Sequence, residues 1–283
     1  MHPREHLGCD YQLDKEERML GTSEQDFYEE VAERLPSPQL IFLNYGYAEA
    51  SSEPCQWITR SDQSHKYHLN LVKHVMSGME LAEQTVLEVG SGRGGNCYYL
   101  SRYTRAERIF GIDRCEANVR FCRAVHRLPK STFLEGDAEQ LPFRSETFDV
   151  VLNLESSHCY PHFDRFLAEV HRVLKPQGTF CYADLWFLEF LELDWKQRKH
   201  ALDVAPFVLL SEEDISEPVF QALKSKEGFV ERIQAMANET NREFVEGVVE
   251  RLKVVRLMLA ASLFSYRVWR FRKPRPGLTA QTV

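Results

Sequence analysis

The amino-acid sequence predicts an α/β protein whose mostly parallel sheet has helices on both faces. Three observations predict this fold. Short apolar runs alternate with helical segments from Thr85 onward, a glycine-rich turn follows the first run, and acidic residues follow the next two. Because parallel strands are joined by right-handed crossovers, the connecting helices must cover the sheet.

Seven segments are predicted as strands. Five of them lie between Thr85 and Trp186 and two lie towards the C-terminal end: TVLEV, RIFGI, STFLE, FDVVLNL, GTFCYADLW, FVLLSEEDI and SYRVWRFRKP. The last is expected to be antiparallel, at or near an edge of the sheet. Helices are predicted in TSEQDFYEEVAERL, from about Ser61 to Ser77, after Trp186, and in one long stretch from about Glu217 to Leu263.

The chain is expected to form one domain. With 283 residues and 43% hydrophobic content it can bury a sizeable core, but it is too short for two large domains. Residues 1–21 form a charged N-terminal arm, predicted to be disordered or to dock on a neighbouring subunit of a homo-oligomer. Residues 22–283 form the domain, in which segments 22–80 and 187–263 supply a helical cap.

The predicted long helix carries one apolar face. Its members recur at intervals of three and four: Val245, Val248, Val249, Leu252, Val255 and Leu259. Core packing explains such a face. A lid or the wall of an apolar pocket also explains it, and one helix can serve both purposes.

Charge and composition narrow the class of protein. The net charge of -7 and the sequence pI near 5.9 argue against a nucleic-acid-binding surface, so a small or neutral substrate is expected. No apolar run is long enough for a membrane span and the N-terminus lacks a signal-peptide pattern, which predicts a cytoplasmic protein. The seven cysteines include no C-x-x-C pair and are interpreted as reduced thiols.

The glycine-rich turn TVLEVGSGRGGN predicts a ligand site. Gly90, Gly92 and Gly94 let the backbone approach a ligand where the first strand meets the first helix. The spacing also fits a dinucleotide fingerprint. Glu88 argues against a pyrophosphate, because two like charges about 4 Å apart cost on the order of 4 kcal/mol at an effective dielectric of about 20. A ligand with an ammonium group and no phosphate, such as S-adenosylmethionine, is favoured.

Two further acids follow the next strands. Asp113 lies where a carboxylate can accept both ribose hydroxyls, and Asp137 can accept from an adenine amino group while Ala138 supplies a backbone N–H. Either acid alone could be a helix cap or turn residue. Three acids with one glycine turn favour a ligand.

The motifs LEVGSGRGG, GID, GDAEQLPF, FDVV and HRVLKPQGTF resemble those of class I S-adenosylmethionine-dependent methyltransferases over about residues 85–186. The resemblance implies a Rossmann-like seven-stranded sheet with an antiparallel last strand. It also implies that S-adenosylmethionine is the cofactor and S-adenosylhomocysteine the product. The expected cofactor site comprises Tyr47, Glu88, Gly90, Gly92, Gly94, Asp113, Arg114, Asp137, Ala138, Asn153 and Leu154.

The exit of the fourth strand, LESSHCYPHF, resembles that of the sterol, phthiotriol and tocopherol methyltransferases, in which a Glu, small residues, a His and a Pro follow one another. In the sterol-type pattern the His lies one position later, where this chain has Cys159. The upstream NYGYAEA resembles a loop that closes over cofactor and substrate in this family. Terpenoid C-methyltransferases of the teleocidin type are the enzymes expected to be most similar. No Asn/Asp-Pro-Pro-Tyr/Phe signature and no metal site are found, so no metal is expected.

Two reaction classes follow from this exit. An alkene acceptor would become a carbocation, which aromatic faces and a carboxylate stabilise. An oxygen acceptor must lose a proton to a base such as His158. The candidate catalytic residues are His158, Glu155 and Tyr45, and the candidate substrate contacts are Tyr45, Ser157, His158 and Tyr160.

The favoured hypothesis is that the protein is a methyltransferase of secondary metabolism, which methylates a carbon of a prenylated or terpenoid natural product. An O-methyltransferase acting on a phenolic or lipid hydroxyl is the alternative. A non-catalytic cofactor-binding module and a dinucleotide oxidoreductase are the rivals from other classes. Each site residue also has a structural interpretation: His158 as a helix cap, Glu155 as a support of the cofactor loop, and Tyr45 and Tyr47 as packing over the adenosine.

Overall fold

The structure is a computed structural model that describes residues 24–49, 56–187, 193–225 and 229–277. The predicted N-terminal arm, residues 1–21, lies outside the described residues. Within the described part, no helix is long and apolar enough to cross a lipid bilayer.

A seven-stranded sheet forms the centre of the fold and confirms the predicted class. Its spatial order is β3-β2-β1-β4-β5-β7-β6. The bounds are β1 Thr85–Val89, β2 Arg108–Asp113, β3 Ser131–Glu135, β4 Phe148–Leu154, β5 Leu174–Phe187, β6 Val208–Asp214 and β7 Phe264–Arg272. Strands β1 to β5 pair in parallel, whereas β7 is antiparallel to both β5 and β6. As predicted, β7 lies next to an edge of the sheet, and β6 occupies that edge.

Nine α-helices surround this sheet within the described residues. They are α1 Glu24–Arg34, α2 Lys66–Val75, α3 Gly95–Tyr103, α4 Glu116–Val125, α5 Phe163–Val173, α6 Leu193–Val204, α7 Ser216–Lys224, α8 Phe229–Gln234 and α9 Arg242–Ala260. Short 3-10 helices span Arg60–His65 and Ser157–Cys159. The predicted helix at Ser61–Ser77 therefore begins as a 3-10 turn.

The helical stretch predicted from about Glu217 to Leu263 is divided into the separate helices α7, α8 and α9. A turn rich in asparagine separates the last two. The Asn238 Oδ1 accepts from the backbone N–H of Thr240 at 2.9 Å, and the Asn241 Oδ1 accepts from that of Asn238 at 2.7 Å. Side chains that bond the nearby backbone in this way compete with helix formation.

The core lies on both faces of the sheet. Helices α2, α3, α4 and α7 and part of α9 cover one face, and α5 and α6 cover the other, where Phe166 packs on Phe180 and Trp195 packs on Trp186. A third apolar cluster lies in the helical cap and joins α1, α8 and α9. The predicted apolar face of α9 is buried in the first and third clusters, including Val248 and Leu252. The cap thus has an apolar interior of its own beside the carboxyl ends of the strands.

Candidate active site

A large cavity opens at the carboxyl ends of β1 to β4, where ligands bind in open α/β sheets. It has an empty volume of about 1060 Å³ including its mouth. Its walls come from α1, the segment after it, the glycine turn, and the ends of β2, β3 and β4. Of the predicted site residues, those that line it are Gly90, Gly92, Asp113, Arg114, Asp137, Ala138, Leu154, Glu155 and Tyr160.

The glycine turn forms the floor of this cavity. Gly90 has a φ of +74°, and a Cβ at this position would lie 2.2 Å from the Ser156 Oγ. The backbone N–H groups of Gly90 and Ser91 both donate to the Ile112 carbonyl, at 2.8 and 2.9 Å. Only glycine combines this backbone conformation with such a close approach to the β4 exit. Gly94 has a φ of +77° at the start of α3 and lies outside the lining.

Glu88 lies beneath the turn rather than in the cavity wall. Its carboxylate accepts from the Asn96 Nδ2 at 2.7 Å and from the Cys97 Sγ at 2.9 Å. Burial raises the pKa of Glu88 to about 8, although both hydrogen bonds oppose this rise. The side chain therefore links β1 to α3. Direct contact between Glu88 and a ligand remains a prediction.

Asp113 and Asp137 line the cavity at the ends of successive strands. Asp113 accepts backbone N–H bonds from Gly92 at 2.6 Å and from Cys115 at 2.9 Å, and burial raises its pKa. Asp137 is exposed towards solvent and accepts from the backbone N–H of Glu139 at 2.8 Å. Both carboxylates thus have fixed positions at the edge where the sequence placed them.

The charged side chains that line the large cavity indicate which cofactor can bind there. Of the two arginines in the wall, Arg93 is buried and engaged: it donates to the Leu35 carbonyl at 2.6 Å and lies 3.8 Å from the Phe121 ring centroid. Arg114 is exposed. Because Asp113 and Asp137 face the same space, the cavity suits a ligand with positive charge and no phosphate. These carboxylate acceptors fit S-adenosylmethionine.

The NYGY loop is fixed to the β4 exit by Glu155. This carboxylate accepts from the backbone N–H of Tyr45 at 3.0 and 3.1 Å and from the Tyr266 hydroxyl at 2.6 Å. Burial raises the pKa of Glu155 to about 8. The Tyr47 ring stacks on His74 at 4.5 Å and lies outside the cavity lining. The structure therefore brings Tyr45 and Glu155 together but does not bring Tyr47 to them.

Asn153 and Tyr160 support the glycine turn from the β4 side. The Asn153 Nδ2 donates to the Val89 carbonyl at 3.0 Å, to the Ser156 Oγ at 2.8 Å and to the Tyr160 hydroxyl at 3.0 Å. Asn153 is fully buried behind the lining, and its Oδ1 has no partner. Tyr160 lines the cavity, and burial raises the pKa of its phenol.

A buried acid that sequence reasoning missed lies next to His158. The His158 Nδ1 is 2.9 Å from the Asp184 Oδ1, and the backbone N–H of His158 donates to the Asp184 Oδ2 at 3.2 Å. Burial opposes the imidazolium, but the Asp184 carboxylate outweighs this effect and raises the pKa of His158 well above its ordinary value. Burial also opposes the ionised form of Asp184, yet the imidazole and the Ser157 hydroxyl hold the Asp184 pKa below its ordinary value.

Ser157 and Arg198 complete this buried group. The Ser157 Oγ donates to Asp184 at 2.6 Å, and the Arg198 Nη2 donates to Ser157 at 2.8 Å. Arg198 lies on α6, with its guanidinium 4.1 Å from the centroid of the Phe163 ring. Asp184 stands in the apolar stretch YADLW, and a lone carboxylate in a core strand was the signal that could have revealed it.

Known proteins of similar sequence are methyltransferases. Residues 87–182 match the model of a methyltransferase domain. The phthiotriol/phenolphthiotriol dimycocerosates methyltransferase of Mycobacterium tuberculosis is 36% identical over 84% of this chain and 87% of its own length. The fatty-acid O-methyltransferase of Mycolicibacterium smegmatis is 33% identical over 87% of this chain and 88% of its own.

The chain belongs to the S-adenosylmethionine-dependent methyltransferase family. Among solved structures, the cyclase SpnF superposes with a TM-score of 0.68 at 22% identity, over 88% of this chain and 94% of its own. At that identity the likeness shows the fold alone. That structure is described as a cyclase, so the fold does not by itself specify the reaction.

A second cavity in this methyltransferase adjoins the first. It has an empty volume of about 440 Å³, and Tyr28 and Leu43 line both cavities. The other lining residues are Phe27, Val31, Tyr45, Phe229, Ile233, Val248, Arg251 and Leu252. The Tyr28 ring lies 6.5 Å from the His158 ring between centroids. His158 therefore lies near the junction of the two cavities.

Within the described ranges, no group of three or more His, Cys, Asp and Glu side chains is placed to hold a metal ion.

Proposed function

We propose that this methyltransferase transfers a methyl group from S-adenosylmethionine to an oxygen of a lipid-like, hydrophobic acceptor, with His158 as the base. The contact between His158 and Asp184, 2.9 Å long and beside the cavity, is the observation that carries the proposal. A base oriented by a carboxylate is the arrangement that removes a proton from a hydroxyl acceptor.

The cofactor is proposed to lie in the large cavity, where it supplies a methyl group on a positively charged sulfur. Asp113 would accept the ribose hydroxyls, and Asp137 with the backbone of Ala138 would bind the adenine. Glu88 would act from beneath the turn by its charge. Arg114, Asn153 and Leu154 are proposed to complete the site. Tyr47, which packs on His74, would act only through the position of its loop.

Asp184 can fulfil two tasks for His158. Its carboxylate holds the Nδ1 side of the ring, which fixes the orientation of the imidazole, and its charge stabilises the imidazolium that forms when the acceptor loses its proton. Ser157 and Arg198 hold Asp184 in turn. The 17% exposure of the His158 side chain leaves part of the ring accessible to an acceptor.

The nature of the acceptor is supported by the relatives and by the cap. One relative is named a fatty-acid O-methyltransferase and another a methyltransferase of phthiotriol dimycocerosates. The second cavity beside His158 is lined mostly by apolar and aromatic side chains. An acceptor with a polar head and an apolar body suits these two adjoining spaces.

Carbon methylation of a prenylated or terpenoid acceptor is the second candidate. Glu155 lines the large cavity together with the rings of Tyr28 and Tyr160, and these groups could stabilise a carbocation. Burial raises the pKa of Glu155 to about 8. A positive charge beside the carboxyl group would lower this pKa and favour the ionised form. Tyr45 would then act through its loop, which Glu155 binds.

One experiment separates the two candidates. The protein would be incubated with lipid hydroxyl, fatty-acid and prenylated acceptors and with cofactor labelled in its methyl carbon, and NMR would locate the label. A label attached to oxygen supports the first candidate, and a label attached only to carbon supports the second. If no acceptor gains a label while S-adenosylhomocysteine binds, both proposals fail.

His158→Gln tests the base. We expect kcat/KM for a hydroxyl acceptor to fall roughly 10²- to 10⁴-fold, the range typical of general-base catalysis. The affinity for S-adenosylhomocysteine, measured by calorimetry, should not change, because His158 does not line the cofactor cavity. His162→Gln is the control, since His162 is exposed four residues further on. Equal activity of the His158 variant and the wild type would exclude a base at this position.

A further inference from the structure

The second cavity has features that match a chain-shaped ligand. Three helices, α1, α8 and α9, together with Leu43 and Tyr45, form its walls, and its empty volume of about 440 Å³ including its mouth is less than half that of the cofactor cavity. Most of its wall is aliphatic or aromatic, and none of the described residues that line it carries a carboxylate. A narrow apolar space favours hydrocarbon over a polar or bulky group.

The charged group in this wall is already engaged. Arg251 lies over the Phe27 ring, and its guanidinium carbon is 4.4 Å from the ring centroid. A cation held on an aromatic face presents its aliphatic stem to the neighbouring apolar groups. The cavity therefore offers an incoming ligand mainly dispersion contacts and the burial of apolar surface.

The two cavities meet at Leu43 and Tyr28, which line both of them. A Cβ placed on Gly92, in the floor of the cofactor cavity, would lie 3.3 Å from the Leu43 Cδ1, and Leu43 also lines the second cavity. On the other side, Tyr28 lies beside His158. A molecule that reaches from one cavity into the other would pass the glycine turn and Tyr28, the neighbour of His158, although His158 itself lines neither cavity.

We infer that the second cavity binds a single unbranched or prenyl hydrocarbon chain of the acceptor, whose length and width are selected by Val248 and Leu252. This inference rests on the proposed function, since it assigns the apolar part of the acceptor whose reactive oxygen lies near His158. Val248 and Leu252 lie one helical turn apart on α9 and face the same space.

The full-length protein, saturated with S-adenosylhomocysteine, would first bind an anilinonaphthalene sulfonate probe. Octanol, decanol and dodecanol would then be titrated in separately, and displacement of the probe measures the affinity for each alcohol. We expect the affinity to rise roughly fourfold per added methylene until the cavity is full. In Val248→Phe the rise should stop at a shorter chain, with at least a tenfold loss of dodecanol affinity. Val254→Phe is the matched control: it lies on the same helix, but Val254 is 45% exposed whereas Val248 is 5% exposed.

Leu252→Ala provides the opposite change and does not depend on Val248→Phe folding. It should enlarge the cavity and extend the rise in affinity to longer alcohols. The inference is overturned if affinity does not depend on chain length, or if Val248→Phe and Val254→Phe change it equally. Failure of the proposed function has another signature: the alcohols bind as expected, but no oxygen acceptor gains a labelled methyl group.

Discussion

Asp184 is a charged residue in the interior of an apolar strand, and its contacts explain this position. It is completely buried, yet it receives hydrogen bonds from the Ser157 hydroxyl and the His158 backbone and pairs with the His158 ring. An isolated buried carboxylate would be costly, and these partners offset the cost. The acid therefore fixes both the position and the charge of His158.

Asp184→Asn should impair the base without removing the side chain. The pKa of His158 should fall, because the negative charge that raises it is lost. The acidic limb of the profile of kcat/KM against pH should move to lower pH, and the maximum should fall because the amide no longer stabilises the imidazolium. NMR titration of the imidazole measures the pKa directly. Asp203→Asn, which changes an exposed acid on α6, should leave both quantities unchanged.

Asp113→Asn should weaken cofactor binding. The change replaces a charged acceptor by a neutral one at the proposed ribose contact, and hydrogen bonds to charged groups contribute roughly 1.5–3 kcal/mol. We expect the affinity for S-adenosylhomocysteine to fall roughly 10- to 100-fold in calorimetry. Glu116→Gln, an exposed acid at the start of α4, is the control. An unchanged affinity of the Asp113 variant would remove Asp113 from the proposed site.

At the scale of the element, the β1–α3 turn and helix α9 use glycine in different ways. Gly90 has a positive φ, and a side chain there would collide with Ser156, whereas Gly247 lies within α9, where an added Cβ would have no described atom within 4 Å apart from the adjoining backbone of the helix itself. The first glycine is required by the backbone. The second has no steric reason to be glycine, and it weakens the helix.

Paired alanine substitutions test this contrast. Gly90→Ala should destabilise the protein and lower its affinity for S-adenosylhomocysteine, because the added Cβ displaces the β4 exit. Gly247→Ala should raise the free energy of unfolding by roughly 0.5–1 kcal/mol, since alanine loses less backbone entropy in a helix. Denaturant unfolding measures both changes. A stabilising effect of Gly90→Ala would contradict the geometry of the turn.

At the scale of the whole molecule, the pKa values of Glu88, Glu155 and His158 are all raised in the folded protein. Burial raises the pKa of Glu88 and of Glu155 to about 8, and Asp184 raises the pKa of His158. Each group binds its proton more tightly in the folded state than in the unfolded state. The stability they contribute is therefore lost as pH rises.

The ligand-free protein should lose stability as pH rises from about 6.5 to 8. Burial lowers the pKa values of His65, His68, His126 and His171, so these groups oppose the trend only below their ordinary pKa of about 6.5. The two glutamates lose protons from the unfolded chain near pH 4.5 but from the folded protein only near 8, so their contribution to the free energy of unfolding falls with rising pH between these values. His158 adds the same trend between its ordinary pKa of about 6.5 and its raised value. Denaturant titrations across this range measure the slope. Glu155→Gln should flatten it and Glu116→Gln should not; equal slopes in wild type and Glu155→Gln would refute the assignment.

The sheet, the glycine turn and the acids at Asp113 and Asp137 could be predicted from the amino-acid sequence. These features are local: apolar runs, turn chemistry and strand ends are encoded by neighbouring residues. The break between α8 and α9 was missed because the apolar periodicity continues on both sides of the asparagine-rich turn, which the pattern alone does not interrupt.

The set of groups that meet at the site could not be predicted, because it depends on contacts between distant parts of the chain. His158 and Asp184 are 26 positions apart, and Glu155 binds the backbone of Tyr45 across 110 positions. Such contacts depend on the parallel pairing of β4 with β5 and on the path of the loop after α1, which no short-range pattern specifies. The same reason applies to the second cavity, whose walls come from helices at opposite ends of the chain.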